Sequence, residues 1–370
     1  MAKLIGVELV RVTMPLKQPF RTSFGSETAR DILLLRWVRS DGEGWGECVA
    51  GRDPLYSSEY TDGAVNVIRR FLLPRLFADG DIRAESVAGV LEPISGHRMA
   101  KAAVEMAVLD AQLRSEERPF AEYLGSSRSR IPAGVSIGIQ PSIGQLLDTV
   151  GGFLDEGYPR IKLKIEPGWD LEPVARVRER FGADVLLQVD ANAAYRLSDA
   201  RHLSGLDEFG LLLIEQPLAN DDLRQHAELA RLISTPICLD ESIISAAAAA
   251  DAIAMRAAQV INIKPGRVGG YLEARRIHDL AAAHGIAVWC GGMLETGLGR
   301  NANIALASLP GFTLPGDTSA SDRFYANDIT EPVVLRDGHV PVPTGPGLGA
   351  VPDEGRLKEF TVSREWIPAP

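Results

Sequence analysis

Short apolar runs recur at nearly equal intervals from residue 131 onward in this chain of 370 residues. From the second run on, the starts lie 23 to 27 residues apart, and helical patterns lie between them. The runs are IPAGVSIG (131), RIKLKI (160), VLLQVD (185), LLLIEQ (211), PICLDE (236), QVINIK (259), IAVWCG (286) and FTLPGD (312). Eight strands that each precede a helix or helical turn predict a (β/α)8-type barrel. A doubly wound open sheet is the alternative, although such sheets seldom contain eight equal units.

The chain before this repeat has a different pattern. Alternating stretches typical of a strand meander come first, and stretches with apolar residues at helical spacing follow them. This order predicts an α+β domain over residues 1–125 and the barrel over residues 126–321. Residues 322–370 contain several Pro and Gly residues and only weak strand patterns, and we expect them to pack back on the first domain.

The charge balance argues against two classes of partner. The net charge is -10 and the pI is near 5.2, whereas a protein that binds nucleic acid or an anionic membrane has a basic surface. The three cysteines are too few and too scattered for a disulfide framework, and the sequence shows neither a signal peptide nor a long apolar segment. We therefore expect a cytoplasmic protein with no nucleic-acid or membrane partner. We also expect a homo-oligomer that acts on a small molecule, although composition does not give the oligomeric state.

An acidic residue closes each of three successive apolar runs. These residues are Asp190, Glu215 and Asp240, and Glu241 follows the last of them. The carboxyl ends of barrel strands meet at one rim, where the active site of this architecture lies. Three carboxylates that converge there would repel one another unless a cation lay between them, and all-oxygen ligation suits Mg²⁺. A helix N-cap is the alternative role for any one of these acids, above all for Asp190.

Lysines occupy one face of the second run and the end of the sixth. In a barrel Lys162 and Lys164 point inward near the active-site end, whereas a solvated edge strand is the alternative. Lys264 lies opposite them across a barrel of eight strands, so that two bases can face one carbon. Its alternative role is to bind a phosphate group in the Gly-rich KPGRVGG. A lysine with the ordinary pKa of about 10.4 is a poor base at neutral pH. We therefore interpret Lys162 and Arg267 as cations that lower the pKa of the lysines, together with the metal and desolvation.

These residues match a known family. The K-x-K strand, the series of acids and Lys264 resemble the enolase superfamily, in its muconate-lactonising subgroup. The chain resembles, over essentially its whole length, the N-succinylamino acid racemase / o-succinylbenzoate synthase family. The strings that carry this resemblance are PFRTSFG, RIKLKIEPGWD, VDAN, IEQPL, CLDES, NIKPGRVGG and WCGGMLETGLGRNANIALASLP. The resemblance implies an N-terminal α+β capping domain over a modified (β/α)7β TIM-type barrel, and one Mg²⁺, or Mn²⁺ in its place.

The resemblance also implies a reaction, which is α-proton abstraction from a carboxylate substrate through an enediolate intermediate. Asp190, Glu215 and Asp240 would be the metal ligands, and Lys164 and Lys264 the acid/base pair that racemises N-succinylamino acids. In the dehydration that makes o-succinylbenzoate, a step of menaquinone biosynthesis, Lys164 would be the base and Lys264 a stabilising cation. Which reaction is physiological stays open, and a dipeptide epimerase or another enzyme of the subgroup is the alternative.

Further residues are expected to contact the substrate or tune the site. They are Phe20, Ser136, Lys162, Asn192, Glu241, Arg267, Gly292 and Met293. A structural role is an equal alternative for Ser136, and an ordinary β-turn is the alternative for the loop from Phe20 to Gly25, which we expect to cover the mouth of the barrel. GLGRNA loosely fits a dinucleotide fingerprint, because Asp317 follows its first glycine by 20 residues. An NAD-dependent oxidoreductase is therefore a remote alternative. The strand that this fingerprint requires does not directly precede it.

Overall fold

A computed structural model describes residues 3–80 and 82–370. Its strands are β1 (Leu4–Thr22), β2 (Gly25–Arg39), β3 (Gly42–Cys48), β4 (Arg130–Pro132), β5 (Gly134–Ile137), β6 (Arg160–Lys164), β7 (Leu186–Asp190), β8 (Ile214–Glu215), β9 (Ile237–Leu239), β10 (Val260–Ile263), β11 (Ala287–Cys290), β12 (His339–Pro341) and β13 (Thr361–Pro368). Its α-helices are α1 (Thr61–Val67), α2 (Leu73–Asp79), α3 (Ala84–Leu91), α4 (Arg98–Ser115), α5 (Phe120–Leu124), α6 (Ile143–Asp155), α7 (Leu171–Phe181), α8 (Ala200–Leu203), α9 (Leu223–Leu229), α10 (Ala246–Met255), α11 (Pro265–Val268), α12 (Tyr271–Ala283), α13 (Gly297–Ala307) and α14 (Glu354–Phe360). Within the described ranges, no helix combines the length and the apolar character needed to cross a bilayer.

The first domain is an antiparallel sheet with helices on one face. Its strands are ordered β13-β1-β2-β3, so the end of the chain returns to pair with the beginning. The long helix α4 packs closely on β3, because Gly44 and Gly46 carry no side chain. A Cβ atom at either glycine would collide with the α4 backbone, at Ala111 and Ala103 respectively.

The second domain is a parallel sheet in the order β5-β6-β7-β8-β9-β10-β11. The fold class predicted from the sequence is confirmed, with a difference at the eighth run. FTLPGD forms isolated bridges instead of a regular strand: Phe312 pairs with Val288 of β11, and Gly316 pairs with Ala133 beside β5. Pro315 has no N–H to donate to a ladder, and this limits regular pairing. The run still closes the barrel between its first and last strands.

The barrel helices begin at polar residues that follow the strands. Side chains of Ser142, Asp170, Asp222, Ser245 and Thr296 accept hydrogen bonds from the first turns of α6, α7, α9, α10 and α13. Such caps satisfy backbone N–H groups that have no partner inside the helix. The caps start each of these helices soon after a strand ends, and the carboxyl ends of the strands are thereby left at one rim.

Two buried glutamates of the first domain join it to the barrel. Glu105 of α4 accepts hydrogen bonds from the backbone N–H groups of Tyr271 (2.5 Å) and Leu272 (3.1 Å), at the start of α12. Glu47 of β3 accepts from Thr296, through both its N–H and its hydroxyl group, and from the N–H of Gly299 at the start of α13. The carboxylates therefore cap helices of the other domain, where the helix dipole favours negative charge.

Candidate active site

The carboxyl ends of neighbouring barrel strands place the predicted acids side by side. In the parallel register, Lys164 of β6 lies beside Asp190 of β7, and Asp190 lies beside Glu215 of β8. Asp240 directly follows β9, the next strand of the sheet. All three carboxylates are buried, with at most 1% of any of these residues exposed. The regular spacing in the sequence thus corresponds to adjacent positions on one rim.

Lys162 lies among three carboxylates. Its Nζ atom is 2.9 Å from Glu215 Oε2, 3.2 Å from Asp190 Oδ2 and 2.6 Å from Asp317 Oδ2. The centre of the Trp289 ring lies 4.8 Å from the same atom. Burial disfavours the ammonium group, but the three carboxylates outweigh burial and hold the pKa of Lys162 above its ordinary value. Lys162 is therefore a buried cation.

Lys164 donates hydrogen bonds to the acid beside it and to an asparagine two residues after this acid. Its Nζ atom donates to Asp190 Oδ2 at 2.5 Å and to Asn192 Oδ1 at 2.6 Å. Asn192 is fixed by its own donors, the backbone N–H to Asp190 Oδ1 (3.0 Å) and Nδ2 to Glu241 Oε1 (2.9 Å). Burial raises the pKa of Asp190, but Lys164 and Lys162 outweigh burial and hold that pKa well below its usual range.

Lys264 directly follows β10 and bonds to Asp240, which follows the neighbouring strand β9. Its Nζ atom donates to Asp240 Oδ2 at 2.7 Å and to the Tyr56 hydroxyl at 3.1 Å. The Arg267 guanidinium contacts the other oxygen of Asp240 and donates to two backbone carbonyls, at 2.8 and 2.6 Å. Lys264 and Arg267 therefore share one carboxylate.

The pKa of Lys264 departs from the sequence expectation. Burial lowers this pKa, as expected, but the Tyr56 oxygen and acids such as Glu215 and Glu241 raise it more, so that it lies above the ordinary value. The sequence pattern suggested that Arg267 would lower it. Here the Arg267 charge is already engaged with Asp240, and more acids than cations face Lys264.

The acids fit a hard divalent cation by the chemistry of their donors. Asp190, Glu215 and Asp240 supply only carboxylate oxygens, the ligands that Mg²⁺ prefers in proteins. In the part of the chain that the structure describes, no three His, Cys, Asp or Glu side chains are grouped so that they could hold a metal ion. Each of the three acids is instead bonded to a lysine, so binding a cation there would replace part of these ion pairs.

A cavity of about 260 Å³ lies where the two domains meet, and the three lysines line it. Other predicted residues that line it are Phe20, Ser136, Asn192, Gly292 and Met293. The predicted acids and Arg267 do not line the cavity themselves. Asp190, Glu215 and Asp240 bond to the lysines that do, Glu241 bonds to Asn192, and Arg267 bonds to Asp240.

The loop from Phe20 to Gly25 combines both roles considered for it. It is a tight turn between β1 and β2, and it also covers the cavity, which Phe20 and Phe24 line. The turn is fastened to the barrel by hydrogen bonds from Ser23 Oγ to the Ala191 carbonyl (3.3 Å) and from the Ile139 N–H to the Arg21 carbonyl (2.9 Å). The first domain therefore supplies part of the cavity wall.

Sequence reasoning missed three residues of this network. Asp317, which pairs with Lys162, closes the eighth apolar run just as the other acids close theirs, so the same rule would have found it. Asn262 donates to Glu215 Oε1 at 2.7 Å and precedes Lys264 by two positions on β10, which gives it the same inward face. Tyr56 comes from a loop of the first domain, and no pattern in the sequence pointed to it.

GLGRNA does not form a dinucleotide site. It begins α13, and the loop after β11 separates it from the preceding strand. The N–H groups at this helix start already bond to carboxylates, Gly297 to Asp328 at 2.9 Å and Gly299 to Glu47 at 3.0 Å. A diphosphate would have to displace both acids.

Two family models match the chain. The model described as mandelate racemase / muconate lactonizing enzyme, N-terminal domain, matches residues 4–125, and the model described as enolase C-terminal domain-like matches residues 145–356.

Curated proteins and solved structures resemble the chain along its whole length. It is 68% identical to an N-succinylamino acid racemase of an Amycolatopsis species, over 99% of each chain. It is 46% identical to an o-succinylbenzoate synthase of Geobacillus kaustophilus, over 96% of each. The crystal structure of an enolase-superfamily member from Listeria innocua matches with a TM-score of 0.96 at 39% identity, and covers 100% of both chains.

Proposed function

The chain belongs to the mandelate racemase / muconate lactonizing enzyme family of the enolase superfamily, and from this premise we propose that it is an N-succinylamino acid racemase, an o-succinylbenzoate synthase, or both. One observation carries the proposal. Lys164 at the end of β6 and Lys264 directly after β10 line the same cavity, and the two strands are four places apart in the sheet. Two amino groups so placed can act on opposite faces of one substrate carbon.

In racemisation the two lysines act in turn. The neutral amine of one lysine removes the α-proton, and the ammonium group of the other donates a proton to the opposite face. The pair thereby exchanges protonation states in each turnover. Separate partners orient the two Nζ atoms: Asp190 and Asn192 hold Lys164, while Asp240 and Tyr56 hold Lys264. General acid–base catalysis needs this positioning before it needs a matched pKa.

We infer that Asp190, Glu215 and Asp240 would hold Mg²⁺. When bound, the cation stabilises negative charge on the substrate carboxylate and weakens the hold of the acids on the lysines. Lys162 and Asn262, which bond to Glu215, keep that carboxylate oriented on the rim.

Dehydration to o-succinylbenzoate uses the same residues differently. Lys164 removes the proton, and Lys264 stays an ammonium group that stabilises the enediolate across the cavity. The substrate loses one proton and one hydroxide, which together make water. The carboxylate of Asp240, 2.7 Å from the Lys264 Nζ atom, supports the cationic role in this reaction.

The test is a side-by-side assay in Mg²⁺. We expect kcat/KM to be measurable for racemisation of N-succinyl amino acids, for dehydration of the o-succinylbenzoate precursor, or for both, and to exceed the value for dipeptide epimerisation. Racemisation is followed by polarimetry and dehydration by ultraviolet absorbance. Greater activity on dipeptides than on either succinyl substrate would replace this proposal with the epimerase alternative.

We also propose that the enzyme is a cytoplasmic homo-oligomer. The three cysteines are free and buried, which suits a reducing compartment. Light scattering on the purified protein measures the oligomeric state, and a mass of about 40 kDa, that of the 39.9 kDa chain alone, would contradict it.

A further inference from the structure

The residue after Glu215 has a backbone conformation that is unusual for a glutamine. Gln216 is 0% exposed and has a φ of 38°, in the left-handed region that few residues other than glycine adopt. It also precedes Pro217, and the residue before a proline favours an extended backbone. A conformation of this kind persists only where the surrounding structure holds it, and such residues cluster at functional sites.

The side chain of Gln216 joins the loop after β8 to the loop after β9. Its Oε1 atom accepts hydrogen bonds from the backbone N–H groups of Asp240 (3.0 Å) and Ser242 (3.3 Å). Its Nε2 atom donates to the Leu218 carbonyl (3.1 Å) and to the Ser242 hydroxyl oxygen (2.8 Å). Both polar atoms of this buried amide are therefore bonded, and a fully bonded buried network favours one arrangement of the loops.

The backbone of Gln216 extends this connection to the loop after β7. Its N–H group donates to the Cys238 carbonyl of β9, and its carbonyl accepts from the N–H of Ala193, both at 2.8 Å. Ala193 lies three residues after Asp190 and also has a positive φ, of 62°. Gln216 is thus bonded to the loops on both sides of its own, and these three loops lie next to Asp190, Glu215 and Asp240.

None of these six hydrogen bonds uses a carboxylate oxygen of the three acids. The carboxylates can therefore turn from the lysines to a cation while the backbone beneath them stays in place. We propose that Gln216 is a positioning residue for the Mg²⁺ site, which holds the backbone of Asp190, Glu215 and Asp240 in one arrangement. This inference rests on the proposed function, because it explains the Mg²⁺ site proposed there. Residues that orient metal ligands typically contribute about 10- to 100-fold to metal affinity.

The test is the affinity for Mg²⁺, measured by titration calorimetry on the wild-type protein and on Gln216→Met. Methionine is similar in length to glutamine but has no amide to make these hydrogen bonds, so the loops lose their connection. The Kd for Mg²⁺ should rise by about 10- to 100-fold. A higher Mg²⁺ concentration should bring the rate of racemisation or dehydration back to within a few-fold of the wild type, because a positioning residue of this kind acts through the bound cation.

Gln112→Met is the matched control. Gln112 of α4 is also buried, at 6% exposed, and its Oε1 atom accepts from the backbone N–H of Ala84 at 3.2 Å, away from the cavity lining. Both substitutions leave a buried N–H group without its partner, so both should lower the melting temperature. Only Gln216→Met should weaken Mg²⁺ binding. Ser242→Ala, which removes one bond of the Gln216 amide, should weaken it by a smaller factor of about 2- to 10-fold.

The positioning role and the proposed function fail in different ways. If the wild type racemises or dehydrates succinyl substrates but Gln216→Met and Ser242→Ala bind Mg²⁺ as tightly as it does, the positioning role is wrong and the function stands. Equal weakening in Gln112→Met would also overturn the positioning role, and Ser242→Ala decides alone if Gln216→Met does not fold. If the two variants weaken Mg²⁺ binding but the wild type catalyses neither reaction, the function is wrong and the positioning role stands.

Discussion

Two groups of buried carboxylates in this protein differ in the groups that neutralise them. On the barrel rim, Asp190, Glu215 and Asp240 bond to the ammonium groups of lysines. Between the domains, Glu47 and Glu105 bond to backbone N–H groups at helix starts, without a lysine or arginine within 4 Å among the described residues.

The difference shows which acids are available for chemistry. An ammonium group on a long side chain can move, exchange a proton or give way to a metal, so the rim acids can change partners during a reaction. Backbone N–H groups at a helix start cannot leave without unwinding the helix. The interdomain acids therefore hold one arrangement, and this arrangement keeps the first domain over the cavity.

The largest expected effect separates the two regions by metal dependence. EDTA should abolish activity, and Mg²⁺ or Mn²⁺ should restore it. Asp190→Asn, Glu215→Gln and Asp240→Asn should each cost several kcal/mol of transition-state stabilisation, on the order of the loss of a Lewis acid. Glu105→Gln should keep the metal requirement and serves as the control for removing a buried acid. Full activity in exhaustively chelated protein would contradict a role for the rim acids in binding a cation.

The next largest effect separates the two lysines. In D2O the wild type should introduce deuterium into both enantiomers of an N-succinyl amino acid. Lys264→Ala should lower racemisation by at least about 10²- to 10⁴-fold in both directions, because every turnover needs both faces. It should still exchange the α-proton of the enantiomer whose hydrogen faces Lys164, and Lys164→Ala should show the opposite pattern. NMR and chiral chromatography measure both quantities.

A lysine outside the site controls for loss of an amino group. Lys101 of α4 is half-buried and donates to the Ile94 carbonyl, remote from the cavity lining. Lys101→Ala should exchange and racemise like the wild type. Near wild-type racemisation by Lys264→Ala would leave Lys264 with only an electrostatic or structural role.

The third prediction tests the interdomain acids through the pH dependence of stability. Burial raises the pKa of Glu105 and of Glu47 to about 7, from an ordinary 4.5. An acid with a raised pKa in the folded state stabilises the fold fully below the unfolded pKa, and this contribution is lost as the pH rises through about 7. Relative to Glu105→Gln, the wild type should therefore lose about 2 to 3 kcal/mol of unfolding free energy between pH 5 and pH 8.

Urea denaturation of both proteins across this pH range gives the difference. Glu116→Gln, a change at an exposed acid that directly follows the same helix, controls for the altered net charge. Parallel pH profiles for wild type and Glu105→Gln would show that the interdomain carboxylate is already ionised in the folded protein at pH 5.

The sequence was sufficient for those parts of the site that lie on strands. The period of the barrel and the alternation within each strand placed Lys164, Asp190, Glu215 and Lys264 correctly relative to one another, because a strand fixes the direction of every side chain. The same rule would also have placed Asp317 and Asn262 in the site, although neither was predicted.

Contacts between distant loops had no such signal. Tyr56 lies 208 residues from Lys264 in sequence. No local sequence pattern indicates that these segments meet. For the same reason the sequence did not predict that Glu47 and Glu105 cap helices of the other domain. The direction of the Lys264 pKa also depended on a count of surrounding charges that only the fold provides.

The smallest expected effect concerns Arg267, which contacts a rim acid but also bonds to the backbone as a structural residue does. Arg267→Gln removes one of the two cations on Asp240 and leaves Lys264 to neutralise that carboxylate alone. The exchange of the α-proton that faces Lys264 should therefore slow by about 10-fold, on the order of one hydrogen bond to a charged group, and exchange at the Lys164 face should change less. Arg178→Gln is the matched control, since Arg178 also donates to backbone carbonyls, those of Phe209 and Val185 at 2.8 Å, but has no contact with the site. If α-proton exchange slows equally at both faces in Arg267→Gln, Arg267 has a structural role and does not act specifically on Lys264.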